Sequence, residues 1–157
     1  MMIETEVKIR IDNEDLVRIT NLLGEPNFVS QKNIIYLLPK GYLRVRFEND
    51  NAILTCKGER KKDLFKSRKE EEVIVDFNIL NIIEMLGLER RCVYLKKRAD
   101  YSFCDCVISL DIIDEDFYIE IEGNEKNILC ALKELSLNEK EMERRSYSEI
   151  YDKKNNC

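Results

Sequence analysis

Glu4, Glu6 and Lys8 take alternate places in "MMIETEVKIRI", and Val7, Ile9 and Ile11 fill the opposite parity. A period of two puts the acids and the lysine on one side of a strand. Paired carboxylates are hard oxygen ligands for a divalent cation, and an ammonium group beside them suits a phosphate. The pattern recurs. Arg44 and Arg46 share a parity in "YLRVRFE", Thr55 and Lys57 in "AILTCKG", and Arg68, Glu70 and Glu72 in "SRKEEEV". Lys96 and Arg98 do so in "CVYLKKRA", Ser109 and Asp111 in "VISLDII", and Glu120 and Glu122 in "FYIEIEG".

With 31 acids and 26 bases in 157 residues, one such motif is expected about once by chance. The coincidence over nearly every strand, opposite mostly apolar positions, is what needs explaining. Strands with solvated charged faces over a core are the plain alternative. Such faces usually mix Thr, Ser, Gln and Lys, whereas these repeat Arg-x-Arg and Glu-x-Glu. Amphipathic helices also need apolar sheet to cover. If the sheet curls into a barrel with helices outside, the charged parity becomes its interior. About seven acids would then face about seven bases, and a triphosphate with two Mg²⁺ or Mn²⁺ ions would leave the tunnel near neutral. Guanidinium forks match phosphate oxygens. The chain has no histidine, so proton transfer falls to Lys, Glu, Asp, Tyr or water.

The elements that must position these residues read as strand, helix, then strands again. Residues 3–11 are expected to form a strand, and "DNEDLVRITNLLGEP" a helix capped by Asp12 and stopped by Gly24 and Pro26. Strands follow at 28–37, 42–48, 52–58 and 67–76, separated by the turns "LPKG" and "NDN" and the charged stretch "ERKKDLFK", read as a solvated hairpin tip. A helix over "FNILNIIEMLG", with Asp76 near its start, precedes strands at 91–99, 102–113 and 116–122. A helix over "NEKNILCALKELSL" comes next, and "SYSEIYDKK" reads as a short helix or tail. Eight strands against about three helices make the class α+β.

At 157 residues, one domain over residues 1–157 is expected. The net charge of −5 argues against a nucleic-acid or anionic-membrane binder. No apolar run approaches a membrane span and no signal peptide precedes the first strand, so a cytoplasmic protein is expected. Six cysteines, with Cys104 and Cys106 the one close pair, give only a weak zinc signal and suit a reducing compartment better than a disulfide framework.

In order and parity these residues resemble the CYTH family, the triphosphate tunnel metalloenzymes, over residues 3–122. The tail "SYSEIY" (Ser146 to Tyr151) is similar to the C-terminal signature of the class IV adenylate cyclase branch. The resemblance implies an eight-stranded antiparallel β-barrel tunnel with outer helices, binding a triphosphate compound with Mg²⁺ or Mn²⁺. Adenylate cyclase, thiamine triphosphatase, inorganic triphosphatase and RNA triphosphatase are among the family's activities. It implies metal ligation by Glu4, Glu6, Glu120 and Glu122, with Asp111 or Glu72. It implies phosphate binding by Arg44, Arg46, Lys57, Arg68, Lys96 and Arg98.

Lys8 is the family's candidate near the attacking group. As a base it would have to lose its proton through desolvation and nearby arginines, against the pull of Glu4 and Glu6, so base and phosphate ligand both stand. One departure is "KNIIYLLPKG", where Asn33, Ile34 and Leu37 replace a pattern of acid, aromatic and aspartate. It bears on the organic end of the substrate and is expected near the tunnel mouth. The reaction expected is conversion of ATP to cyclic AMP and pyrophosphate. The alternatives are hydrolysis of tripolyphosphate, thiamine triphosphate or a nucleoside triphosphate, and a non-catalytic triphosphate-binding module. A homodimer is compatible with the chain's size.

Overall fold

The computed structural model describes residues 2–61, 65–138 and 141–155. Eight strands alternate with helices: β1 (Met2–Ile11), α1 (Asn13–Leu23), β2 (Val29–Leu37), β3 (Tyr42–Glu48), β4 (Asn51–Lys57), β5 (Lys66–Val75), α2 (Ile79–Met85), β6 (Arg90–Phe103), β7 (Cys106–Ile113), β8 (Asp116–Glu122), α3 (Glu125–Glu134) and α4 (Tyr147–Asn155). The strands close a barrel in the order β1-β5-β4-β3-β2-β6-β7-β8. Every neighbouring pair is antiparallel. Closure leaves no strand edge unpaired, which an eight-strand sheet with one charged face requires.

Parity decides inside from outside. Val7, Ile9, Ile108, Leu110, Ile119 and Ile121 face out and form a buried cluster with Ile19 of α1 and Ile128, Ala131 and Leu132 of α3. Asp12 opens α1 with a capping box, its side chain accepting from the Asp15 backbone at 2.8 Å. Asn124 caps α3 in the same manner through the Asn127 backbone. On another side Ile83 of α2 packs on Ile34, Tyr36 and Val45. The helices therefore cover the apolar parity, and the charged parity is left to the interior.

Three boundaries differ from expectation. α2 starts at Ile79, because Asp76 spends its carboxylate on the Asn78 backbone N–H in a preceding turn. β6 runs on to Phe103, and the chain reverses at Cys104 and Asp105, both left-handed at φ 52. That two-residue hairpin lacks glycine, so the sequence did not announce it. The stretch 59–66 is only partly a solvated tip: Phe65 is 1 % exposed and Lys66 is buried, while residues 62–64 lie outside the described part.

Candidate functional site: a charged tunnel

A cavity of about 410 Å³ runs through the barrel, lined by charged side chains from β1, β3, β4, β5, β6 and β8. Lys8, Lys57, Arg68 and Lys96 are each less than a tenth exposed, as is Glu6. Burial of so many charges is tolerable only if each is paired or awaits a ligand.

Most are paired. Lys57 Nζ lies 2.9 Å from Glu4 and 2.5 Å from Glu70. Arg68 Nε donates to Glu4 at 3.3 Å. Arg44 and Arg46 lie 3.4 and 3.6 Å from Glu72, which also accepts from the Thr55 hydroxyl at 2.8 Å. Asp111 accepts from Arg98 Nε at 2.8 Å and from the Tyr147 hydroxyl at 2.5 Å, and it lies 3.1 Å from Lys96 Nζ. Glu120 bridges Lys8 at 3.1 Å and Arg98. Burial favours the neutral acids, but Arg98 and Lys96 hold the Asp111 carboxyl below its ordinary range, and Lys8 and Arg98 hold Glu120 well below.

Two walls are left incomplete. On β2 and β3, Arg44 Nε, Gln31 Oε1 and both amide atoms of Asn33 are buried without a hydrogen-bond partner, and Arg46 Nε makes no hydrogen bond though it lies 3.4 Å from the Glu48 carboxylate. Unmade bonds of this kind are costly and mark a place for a polar ligand or ordered water. In the ring of strands β8 stands across from β3. There Glu122 remains exposed at the mouth, yet partial burial and the neighbouring Glu4, Glu6 and Glu70 carboxylates push it up to about 7. An acid held back from ionising by other acids lacks a cation, and hard oxygen donors fit Mg²⁺ or Mn²⁺. Among the described residues no three acids or thiols stand at metal-ligand spacing, so a cation would have to draw the carboxylates together.

The expected residues thus converge on one axis, but in different company. Glu4, Glu6 and Glu70 surround Glu122 while Lys57, Arg68 and Lys66 pair with them, and Glu72, Asp111 and Glu120 are held by a different set of cations, Arg44, Arg46, Lys96, Arg98 and Lys8. Of the departures from the family pattern, Ile34 packs outside and Leu37 is exposed, while Asn33 is fully buried within the wall rather than at the mouth.

Sequence reasoning missed Lys66, one step of parity before Arg68. Burial and then the Lys8 charge push it down to about 7. Burial and then Arg98 bring Lys96 to about 7 as well. It also missed Tyr42 and Tyr94, which continue the parities of Arg44 and Lys96, and it did not see how far α4 enters. Lys8 and Lys96 hold their ammonium groups 3.7 and 4.3 Å from the centre of the Tyr147 ring. Lys8 and Lys66 also both donate to the Arg145 carbonyl, at 3.3 and 3.1 Å.

A closed antiparallel barrel lined by interleaved carboxylate, guanidinium and ammonium groups defines a charged-tunnel protein. The CYTH domain profile matches residues 2–147, and the chain belongs to that family, whose tunnels bind small triphosphates and depend in general on divalent metal. It is similar to the PH1012 protein of Pyrococcus horikoshii OT3, with a TM-score of 0.82 and 25 % identity over 94 % of this chain and 98 % of that one. A conserved hypothetical protein of Pyrococcus furiosus gives 0.81 and 24 % over 94 % and 99 %. HpAC1 of Hippeastrum, named for adenylyl cyclase and reported with a dominant triphosphatase activity, gives 0.73 and 18 % over 96 % of each chain. No curated protein sequence matches. No helix among the described residues is long and apolar enough to cross a membrane.

Proposed function

We propose that the chain is a divalent-metal-dependent triphosphatase, hydrolysing the terminal phosphate of tripolyphosphate or of an organic triphosphate. The observation that carries this is the pair of buried guanidinium groups on Arg44 and Arg46, whose Nε atoms make no hydrogen bond, lining the same tunnel as the Glu4, Glu6, Glu70 and Glu122 carboxylates.

Arg44 and Arg46 present forked donors to the phosphate chain, with Lys57, Arg68 and Lys96 supplying further charge. Glu4, Glu6 and Glu122 would hold Mg²⁺ or Mn²⁺, with Glu70 beside them. Bound there, the metal would orient the reacting phosphate and offset charge on the bridging oxygen. Asp111 and Glu120 fix the direction of Arg98, Lys96 and Lys8 instead of binding metal themselves. Lys8, donating to the Arg145 carbonyl and paired with Glu120, acts as a phosphate ligand. Hydrolysis needs no pocket beyond the charged lining, because water is the nucleophile.

Cyclisation of ATP is the second reading. It is favoured by the "SYSEIY" tail, whose Tyr147 stands in the tunnel wall. Product analysis with Mn²⁺ separates the two: phosphate with ADP or pyrophosphate supports hydrolysis, and cyclic AMP with pyrophosphate supports cyclisation. Tight binding of ATP and tripolyphosphate with no turnover of either, or of thiamine triphosphate, would reject both in favour of a binding module.

A further inference from the structure

Of the cysteines described, Cys104 and Cys106 are near neighbours in the chain, and Cys130, distant in sequence, sits beside them in space. None of the described cysteines is in a disulfide. Cys104 stands at the tip of the β6–β7 hairpin, where it and Asp105 share the left-handed φ of 52. A two-residue reversal with positive φ at both positions is tight and sets the direction of each side chain. It aims the Cys104 thiol at α3, where the exposed Cys130 lies with its sulfur 3.7 Å away. Cys106 is 4 % exposed beneath them, so close to Gly123 that a Cβ there would meet its sulfur at 2.7 Å. It is walled off from reagents, and the two sulfurs in contact are the accessible ones.

We propose that Cys104 and Cys130 are a modification site, forming a reversible disulfide by exchange with a low-molecular-weight disulfide. The bond requires the sulfurs to close to about 2 Å, which rotation of two partly or fully exposed side chains can supply. The Cys130 thiolate attacks the small disulfide, and one small thiol leaves. The Cys104 sulfur, giving up its proton, then attacks the Cys130 sulfur of the mixed disulfide, and the second small thiol leaves. Two protein thiols are oxidised and one small disulfide is reduced to two thiols, so atoms and electrons balance. While both thiols are reduced, burial and then the adjacent Cys130 push the Cys104 thiol up to about 11, and formation of the link quickens as pH rises because the thiolate is the attacking form.

The bond would fasten the tip of the β6–β7 hairpin to α3 across 26 positions of chain. α3 packs on β1, β7 and β8, the strands that carry Lys8, Asp111 and Glu120. The tether would therefore clamp one side of the tunnel from outside, whether or not the triphosphatase reading holds.

The test is to incubate the full chain with excess glutathione disulfide, alkylate the remaining thiols, and map the products by mass spectrometry without reduction. A Cys104–Cys130 link, reversed by dithiothreitol, is expected. So is a rise in Tm of about 5–10 °C. Cys106→Ser should keep the link. Cys104→Ser should leave a glutathione adduct stranded on Cys130, and Cys130→Ser should abolish the link. A link through another pair, survival of the link in either of the last two variants, its loss in Cys106→Ser, or stable adducts on both sulfurs without a link would overturn the proposal.

Discussion

Tyr147 donates its hydroxyl proton to Asp111 at 2.5 Å, joining the last helix to the tunnel wall. Asp111 is 1 % exposed, and Tyr147 shares a buried cluster with Ile35, Tyr94, Tyr118 and Ile150. One phenol thus orients the carboxylate that holds Arg98 and Lys96, while its ring lies beneath two ammonium groups. Tyr147→Phe removes only the hydroxyl and should cost about 1–3 kcal/mol. Tyr147→Ala also removes the ring and should cost about 3–5 kcal/mol. Urea denaturation of both variants gives the comparison, and equal losses would mean that the ring contributes nothing.

The internal ion pairs around Lys8 predict its kinetic phenotype. Lys8 bridges Glu120 and donates to the Arg145 carbonyl, contacts that suit a phosphate ligand. Lys8→Ala should raise KM for tripolyphosphate by about tenfold, and Arg44→Ala by as much or more, since each removes a charged donor. Steady-state kinetics at saturating Mn²⁺ measure both. A collapse of kcat in Lys8→Ala with KM unchanged would give the base role back to Lys8.

Glu122 makes metal binding and stability depend on pH. Its carboxyl is raised from 4.5 to about 7, so between these values the folded chain keeps a proton that the unfolded chain has lost. Metal-free stability should therefore fall on this account as pH rises from about 4.5 to 7, and Glu122→Gln should remove that slope. A cation must displace the same proton, so Mn²⁺ affinity should tighten up to about pH 7 and then level off. Calorimetry in buffers of different ionisation enthalpy should detect the released proton below pH 7. No proton release there would separate Glu122 from the metal.

Gly41 governs where Lys57 stands. It has a φ of 85, and a Cβ on it would lie 1.9 Å from the Lys57 carbonyl oxygen. An alanine can neither adopt that backbone cheaply nor fit the space. Gly41→Ala should cost about 3 kcal/mol or more and displace the lysine that pairs with Glu4 and Glu70. Gly24→Ala, at φ 102 with nothing within 4 Å, separates strain from clash and should cost less.

The barrel was legible because its two faces differ so sharply. Glu4, Glu6, Lys8, Arg44, Arg46, Lys57, Arg68, Lys96, Arg98, Asp111, Glu120 and Glu122 all stand on the parity read from sequence. Parity says which face a residue shares, not who its partner will be. Glu4, Asp111 and Glu120 look alike in sequence, yet Glu4 is paired with Lys57 and Arg68, Asp111 with Lys96 and Arg98, and Glu120 with Lys8 and Arg98. Lys66 was hidden in a charged run that resembles a turn. Tyr147 was hidden in a tail whose helix docks through contacts far from it in the chain. The alternation that starts at Arg68 extends back to Lys66, whereas no local pattern encodes the place of Tyr147.

The ring order carries a consequence for how the molecule is made. β1 is flanked by β5 and β8, so it leaves the ribosome well before either of the strands that border it. Met2 faces Glu70, and Glu6 faces Glu122. Until residue 122 has been synthesised, an amphipathic strand with unpaired hydrogen-bonding groups must wait, exposed to intermolecular pairing. Its acids and its lysine, which later hold the tunnel's charges in place, would meanwhile act as a guard that discourages neighbouring nascent chains from stacking on it.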